Sequence, residues 1–134
     1  MKTGKELNAI SEAIIGAAIT VRRELGPGLL ENTYEVCLAF ELTDRGFAVI
    51  RQKELPVIYR GVRVDCGYRL DLLVNDSVIV ELKSVERFDR IHQAQVMSYL
   101  KLTNLNLGLL INFNVELLVN GVKRIVRDFP EDSL

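Results

Sequence analysis

Several residue types on which large classes of protein depend are scarce in this chain of 134 residues. It contains no tryptophan, one histidine and two cysteines. Two cysteines are too few for a disulfide-rich secreted scaffold or for a structural zinc site built from cysteine. The single histidine, His92, excludes a metal site made of several histidines and limits any histidine acid–base relay to that residue. We interpret Cys37 and Cys66 as reduced residues that pack as small apolar side chains.

A large charge of one sign is absent as well. The 17 Lys and Arg residues nearly balance the 18 Asp and Glu residues, so the formal net charge is −1 at pH 7. Such a chain has no overall attraction for phosphate backbones, and any binding of nucleic acid has to come from a local basic surface. Arg87 and Arg90 are the best candidates for phosphate contacts, because they lie just after the predicted strand that carries Glu81 and Lys83.

No apolar run is long enough to cross a bilayer. The longest apolar-rich stretch, residues 10–21, is too short and carries Ser11, Glu12 and Thr20. The polar residues at the start lack the basic and apolar regions of a signal peptide. We therefore expect a cytoplasmic protein that does not enter the membrane. A domain typically takes about 150 residues, so we expect one domain over residues 1–134.

Apolar residues at helical spacing predict two helices in the first third of the chain. The first stripe covers residues 10–25 and ends at Gly26-Pro27-Gly28, because glycine can adopt a left-handed conformation and proline cannot continue a helix. The second stripe covers residues 30–42 and ends at Arg45-Gly46.

A third helix is predicted after Asp89, which is a suitable N-cap residue. Gln95 and Tyr99 are four residues apart and therefore share one face of this helix. The expected inner face consists of Ile91, Ala94, Gln95, Ser98, Tyr99 and Leu102. His92 is expected to face solvent.

Strand patterns occupy the segment between the second and third helices. Short runs at residues 47–50, 55–59 and 62–65 predict strands, the last two forming a hairpin about Arg60-Gly61. Two more apolar strands, residues 68–74 and 78–83, are separated by the turn Asn75-Asp76-Ser77.

Further strands are predicted after the third helix. Residues 107–113 form a continuous apolar run that is typical of a buried strand beside the preceding one. Residues 116–126 predict a hairpin about Asn120-Gly121, and the acidic tail from Asp128 is expected to be frayed. This order of elements predicts an α/β domain with a mixed central sheet flanked by helices. An exposed edge at the last hairpin could pair with a second copy in a homodimer.

Polar residues interrupt the two most apolar strands. Asp71 lies within Arg69-Leu70-Asp71-Leu72-Leu73-Val74, and Glu81 and Lys83 lie within Val78-Ile79-Val80-Glu81-Leu82-Lys83. Because side chains alternate along a strand, Glu81 and Lys83 project from the same side. If the strands pair through the tight turn, Asp71 approaches Glu81. The sequence therefore predicts two carboxylates and one ammonium group on a rigid scaffold.

These groups suit hydrolysis of a phosphodiester bond. Carboxylate oxygens are preferred ligands of Mg²⁺ or Mn²⁺, which can lower the pKa of a bound water and neutralise charge on a phosphate. Lys83 could position or deprotonate the water and stabilise the transition state. The alternative from spacing alone is a structural ion-pair network at the end of the sheet. Glu31, at the start of the second helix, is either a further acid of the site or a complement to the helix dipole.

The ordered motifs resemble a known nuclease family. Asp71 followed by Glu81-Leu82-Lys83 resembles the Asp…(Asp/Glu)-x-Lys signature of the PD-(D/E)XK nuclease superfamily. Gly28-Leu29-Leu30-Glu31-Asn32-Thr33-Tyr34 resembles the motif that names the GxxExxY protein family. Gln95…Tyr99 and Gly108-Leu109-Leu110-Ile111-Asn112-Phe113 resemble later parts of the same pattern.

The resemblance implies a restriction-endonuclease-like core and assigns roles by position. Asp71, Glu81 and Glu31 would hold Mg²⁺ or Mn²⁺, and Lys83 would assist the attacking water. Gln95 and Tyr99, with Tyr34, would contact the substrate or brace the site. The implied partner is DNA or RNA. The alternative is a non-catalytic module that retains the nuclease fold and binds nucleic acid or protein.

Overall fold

The computed structural model describes residues 1–132, which form a mixed sheet with helices on both faces. The helices are α1 (Gly4–Leu25), α2 (Glu31–Asp44) and α3 (Arg90–Thr103). The strands are β1 (Val49–Glu54), β2 (Val57–Tyr59), β3 (Val62–Val64), β4 (Arg69–Val74), β5 (Val78–Lys83), β6 (Leu107–Asn112) and β7 (Val122–Val126). Within these residues, no helix is both long enough and apolar enough to cross a membrane.

The main sheet has five strands in the order β1-β4-β5-β6-β7. The central pair, β5 and β6, is parallel and is joined through α3, while the other neighbours are antiparallel. β2 and β3 form a separate two-stranded hairpin. The mixed sheet flanked by helices and the buried strand at residues 107–113 are therefore confirmed.

α1 and α2 cover one face of the sheet. A capping box between Thr3 and Glu6 begins α1, and Gly26, with φ of 71°, follows its last residue as predicted. The stripe on α1 that includes Ile14 and Ala17 is fully buried against apolar residues of α2 and of the central strands. This layer holds the larger of the two apolar cores.

α3 covers the other face, but with a different side from the one predicted. Its buried residues are Val96, Tyr99 and Leu100, whereas Ile91 is 65% exposed. The predicted inner face was wrong for Ile91, Ala94, Ser98 and Leu102, which are all exposed. The helix has apolar residues on two sides, and the side with Val96 contacts Gly108, where the absence of a side chain lets α3 approach β6 closely.

Two predicted strand patterns need correction. The strand predicted at 47–50 begins at Val49 and continues through the polar residues 51–54, because β4 supplies its hydrogen-bonding partner. The hairpin predicted from residues 55–59 and 62–65 is confirmed as β2 and β3. Residues 116–126 do not form a hairpin: Leu118–Gly121 is a 3-10 helix, and β7 pairs with β6. This arrangement buries Leu118 and Ile125, which a two-stranded hairpin would leave exposed.

The acidic tail is more ordered than predicted. Phe129 packs against the core, and Pro130 approaches Gly4 so closely that a larger residue at position 4 would clash. Residues 133–134, which the prediction of a frayed tail also covered, lie outside the described part of the chain.

The glycine–tyrosine motif before α2 forms a closed loop. The hydroxyl of Tyr34 donates a hydrogen bond to the carbonyl oxygen of Gly26 at 2.6 Å and accepts one from the amide of Leu29 at 3.1 Å. Its fully buried ring stacks on Phe113 with the centroids 4.4 Å apart. Gly28 has φ of 92°, a conformation that favours glycine. Tyr34 thus fixes the path of the chain between α1 and α2.

We expect Tyr34→Phe to lower the free energy of unfolding by about 1–3 kcal/mol, because two buried hydrogen bonds are lost while the stacked ring is kept. Urea denaturation measures the change. Tyr59→Phe is a matched control, since Tyr59 is 62% exposed and its variant should differ from the parent by less than about 0.5 kcal/mol. Equal stability of both variants would contradict the proposed role of the Tyr34 hydroxyl.

Candidate active site

The site is built where the ladder between β4 and β5 stops. A turn through Asn75 and Asp76, both with positive φ, joins the strands. Their register pairs Val74 with Val78 and continues to Leu72 with Val80. The next pair in this register would be Asp71 and Glu81. The predicted hairpin is therefore confirmed, and it places both carboxylates at the open end of the strand pair.

The carboxylate of Asp71 accepts a backbone hydrogen bond that a continued β-ladder would otherwise satisfy. Its Oδ2 accepts a hydrogen bond from the backbone amide of Leu82 at 2.8 Å. A short aspartate side chain thereby satisfies an amide that has lost its partner strand. The bond fixes Asp71 beside the part of β5 that carries Glu81.

Glu81 is the most perturbed acid of the site. It is only 5% exposed, and its carboxyl group shares a hydrogen bond with the carboxyl group of Asp71. Burial, followed by this bond and by the charge of Asp71, raises the pKa of Glu81 to about 10, while the charge of Lys83 opposes the rise. Glu81 therefore keeps its proton at neutral pH, beside the carboxyl group of Asp71.

Lys83 ends β5, and the chain beyond it is held by Asn112. The register of the parallel strands places Lys83 beside Asn112. The buried amide of Asn112 accepts from the backbone of Val85 at 3.1 Å and donates to its carbonyl oxygen at 2.7 Å. Asn112 therefore braces the segment that follows Lys83.

Two polar residues that the sequence did not single out support Asp71. The amide of Gln52 donates to Glu35 Oε1 at 2.6 Å and lies 3.4 Å from Asp71 Oδ1. Glu35 is buried on α2 and is paired with Arg51 at 2.9 Å. Gln52 has φ of 53°, an uncommon conformation for this residue type, opposite Asp71 in the sheet.

No local pattern points to this pair. Gln52 and Glu35 are 17 positions apart, and each taken alone is an ordinary polar residue of a strand or helix. The one available signal is that Glu35 falls on the same side of α2 as the apolar residues Leu38 and Leu42, where an unpaired acid would be unfavourable.

Glu31 does not join the other acids. It is exposed at the start of α2 and lines an open depression with Gly28, Ser84 and Asn114. In the described residues, no group of three or more acids, cysteines or histidines is arranged to hold a metal. The predicted set of Asp71, Glu81 and Glu31 is thus present as a pair with the third acid apart.

Gln95 and Tyr99, the two residues predicted to share a face of α3, lie on the side of the sheet that Glu81 faces. Tyr99 is buried, and burial followed by the charges of Glu81 and Asp71 raises its pKa to about 12. Gln95 lies one turn earlier on α3 and is half-buried. Tyr34 belongs to the opposite core and braces the loop before α2 rather than approaching the acids.

The predicted basic residues and His92 lie at the start of α3. Arg87 and Arg90 are exposed on the segment that leaves β5. His92 completes a capping box, because its Nδ1 accepts from the amide of Asp89 at 3.1 Å. His92 was expected only to face solvent, but it also caps the start of α3.

The two coupled carboxyl groups fit a divalent cation. Glu81 and Asp71 adjoin each other, and one or two carboxylates are the usual protein contribution to a magnesium site. Lys83 supplies a positive charge beside them. The arrangement can therefore bind a hard cation and a phosphate oxygen together.

We expect Glu81→Gln to gain stability relative to the parent as pH rises. The pKa of Glu81 is about 10 in the folded chain, against 4.5 for an ordinary glutamate. The folded state therefore keeps a proton that the unfolded state releases, and stability falls between these pH values. Glutamine is neutral in both states and removes that dependence. The slope is at most about 1.4 kcal/mol per pH unit.

Thermal unfolding in EDTA at pH 5 to pH 9 measures this effect. Glu12→Gln, a substitution at an exposed position of α1, is the control and should leave the slope unchanged. If the difference in Tm between Glu81→Gln and the parent were the same at every pH, the prediction that Glu81 keeps its proton in the folded state would be contradicted.

A comparison with known proteins identifies the family. Residues 8–125 match the family profile of the PD-(D/E)XK nuclease superfamily, which covers most of the chain from α1 into β7. No curated protein and no solved structure matches the chain significantly. The five-stranded mixed sheet with flanking helices is consistent with the restriction-endonuclease-like fold. The chain therefore belongs to the PD-(D/E)XK nuclease superfamily.

Proposed function

We propose that the protein is a metal-dependent nuclease that hydrolyses phosphodiester bonds in nucleic acid. The proposal rests on one observation: the carboxyl groups of Asp71 and Glu81 adjoin each other near Lys83, at the open end of the β4–β5 strand pair. The superfamily supports a nuclease-like activity. The ordered motifs from Gly28 to Phe113 further resemble the GxxExxY family, and we propose membership of that group.

Asp71 and Glu81 are the residues that would hold the metal, Mg²⁺ or Mn²⁺. Such an ion supplies a water of lowered pKa and neutralises charge on the phosphate. The exposed position of Glu31, apart from the pair, leads us to assign it a lesser role in holding the ion. A cation bound between Asp71 and Glu81 would favour the ionised form of Glu81, which would then release its proton.

Each protein group then has a defined task. Asp71 is fixed by the amide of Leu82 at one carboxylate oxygen and lies 3.4 Å from the amide of Gln52 at the other, so its carboxylate keeps one orientation. Glu81 is held by burial within β5. Lys83 orients the attacking water and stabilises negative charge on the phosphate oxygens in the transition state. Arg87 and Arg90 attract the backbone of the nucleic acid through exposed positive charge.

One observation favours a second candidate, a binding module without turnover. Only two acids meet at the site in the described residues, because Glu31 lies apart. A module of this kind would bind nucleic acid or protein through the same fold without metal-dependent cleavage. The two experiments below separate it from the nuclease.

We expect the parent protein to cleave nucleic acid in the presence of Mn²⁺ or Mg²⁺, and Glu81→Ala and Lys83→Ala to lose at least about a hundredfold in rate. Single- and double-stranded DNA and RNA are the substrates. Asp76→Asn is a matched control on the turn of the same hairpin, since asparagine tolerates the positive φ there. Glu31→Gln should lose less rate than Glu81→Ala.

Cleavage that survives both Glu81→Ala and Lys83→Ala, in variants with unchanged circular dichroism, would contradict the assignment of the site. Binding without turnover on any of the four substrates would favour the second candidate.

We also expect Mn²⁺ to raise the Tm of the parent, because a ligand that binds only the folded state stabilises it by about 2.7 kcal/mol at a hundred times its Kd. Asp71→Asn should abolish the shift while keeping an oxygen that can accept from Leu82. Asp76→Asn should retain the shift. An equal shift in all three proteins would mean that the ion binds elsewhere.

A further inference from the structure

A groove opens between α3 and the segment that carries the β2–β3 hairpin. Its volume is about 370 Å³, and its walls include Val57, Tyr68, Gln95, Tyr99 and Ile91. These walls include the side of α3 that the helical pattern assigned to the core and that the fold leaves open. The groove is therefore an apolar surface without a covering element in the described chain.

The groove adjoins the carboxylate pair through one residue. Tyr99 lines the groove and packs in the same apolar cluster as Ile79, which projects from the same face of β5 as Glu81 two residues later. A ligand that fills the groove therefore lies on the face of the sheet from which Glu81 projects.

Tyr68 provides an accessible aromatic wall. Its ring is held edge-on against Tyr99, with centroids 6.1 Å apart, and the residue is still 44% exposed. The backbone of Tyr68 is fixed by a hydrogen bond from the amide of Leu55 to its carbonyl oxygen at 2.9 Å. A planar ligand can stack on a ring that is positioned in this way.

Gln95 adds hydrogen-bonding capacity to the groove. Its side-chain amide, which offers two donors and an acceptor, makes no hydrogen bond with any residue in 1–132. Ser98 adds a hydroxyl on the same wall. Apolar walls, an aromatic ring and a few polar groups match the two faces and the polar edge of a nucleobase.

Two exposed arginines lie between the groove and the acids. The segment from Lys83 to Ile91 joins the candidate active site to the groove, and it carries Arg87 and Arg90 together with the exposed acids Glu86 and Asp89. Within the described residues, neither arginine is in a salt bridge. A phosphate backbone could follow this segment while a base enters the groove.

We propose that the groove binds an unpaired nucleobase stacked on Tyr68, and that the substrate is consequently single-stranded nucleic acid or a single-stranded end. The inference rests on the proposed nuclease function for the identity of the ligand. In a duplex both faces of each base are already stacked on neighbours, so a base has to leave the helix before it can occupy the groove.

The test compares binding of fluorescein-labelled oligo-dT, oligo-rU and a DNA duplex, each about 12 units long, by fluorescence anisotropy. Ca²⁺ is present to occupy oxygen-ligand sites. We expect the parent to prefer the single strands over the duplex by about tenfold or more, and Tyr68→Ala to weaken single-strand binding by about tenfold. A further comparison of oligo-rU with oligo-dU, which carries the same base, identifies the preferred sugar.

Two further variants separate stacking from other effects. Tyr68→Phe keeps the ring and should bind as the parent does. Tyr59→Ala removes another exposed tyrosine, on β2, and should leave affinity unchanged. Duplex binding as tight as single-strand binding, or an unchanged affinity in Tyr68→Ala, would overturn the proposal, as would equal losses in Tyr68→Ala and Tyr59→Ala.

The outcome for the groove is distinguishable from that for the nuclease. Single-strand binding that depends on Tyr68 without any cleavage by the parent with Mn²⁺ would support the groove and contradict catalysis. Cleavage of single strands by the parent at a rate unchanged in Tyr68→Ala, at substrate concentrations below KM, would support catalysis and overturn the groove.

Discussion

The hydrogen bond from the amide of Leu82 to the carboxylate of Asp71 is the contact on which the site depends. It forms where β4 and β5 stop pairing, so one side chain both satisfies a backbone amide and brings an acid beside Glu81. A sheet that continued its ladder through this point would satisfy the amide without a carboxylate. The interruption of ordinary pairing thus creates a place where two acids can meet.

Two adjacent carboxyl groups lower the stability of the fold, and the surrounding residues compensate for this effect. Two carboxyl groups in a poorly solvated site cannot both ionise, and the pair reduces its charge by holding a proton. Gln52, which has a positive φ, lies within hydrogen-bond distance of Asp71, and its amide is anchored to α2 by Glu35, which also pairs with Arg51. Strained and charged residues concentrated at one point are typical of a functional site rather than of a structural ion pair.

The sequence contains enough information to predict the acids but too little to predict their supports. Asp71, Glu81 and Lys83 stand out because alternation along two adjacent strands and a tight turn are local properties. Gln52 and Glu35 meet Asp71 only through the pairing of β1 with β4, a contact that no local period encodes. The hairpin predicted at residues 116–126 fails for a related reason: a favourable turn dipeptide was outweighed by the burial of Ile125 beside β6.

The incorrectly predicted buried face of α3 identifies a second apolar surface on this helix. A helix that packs on a sheet needs one apolar stripe, and α3 uses the one that includes Val96 and Leu100. The second stripe, from Ile91 to Leu102, has no role in that packing, and an exposed apolar surface is unfavourable in water unless a ligand covers it. Because Tyr99 belongs to the buried stripe and also lines the groove beside this second surface, the helix connects the core, the carboxylate pair and the groove. The residues that mislead a prediction of the core are therefore the ones that line the proposed nucleobase site.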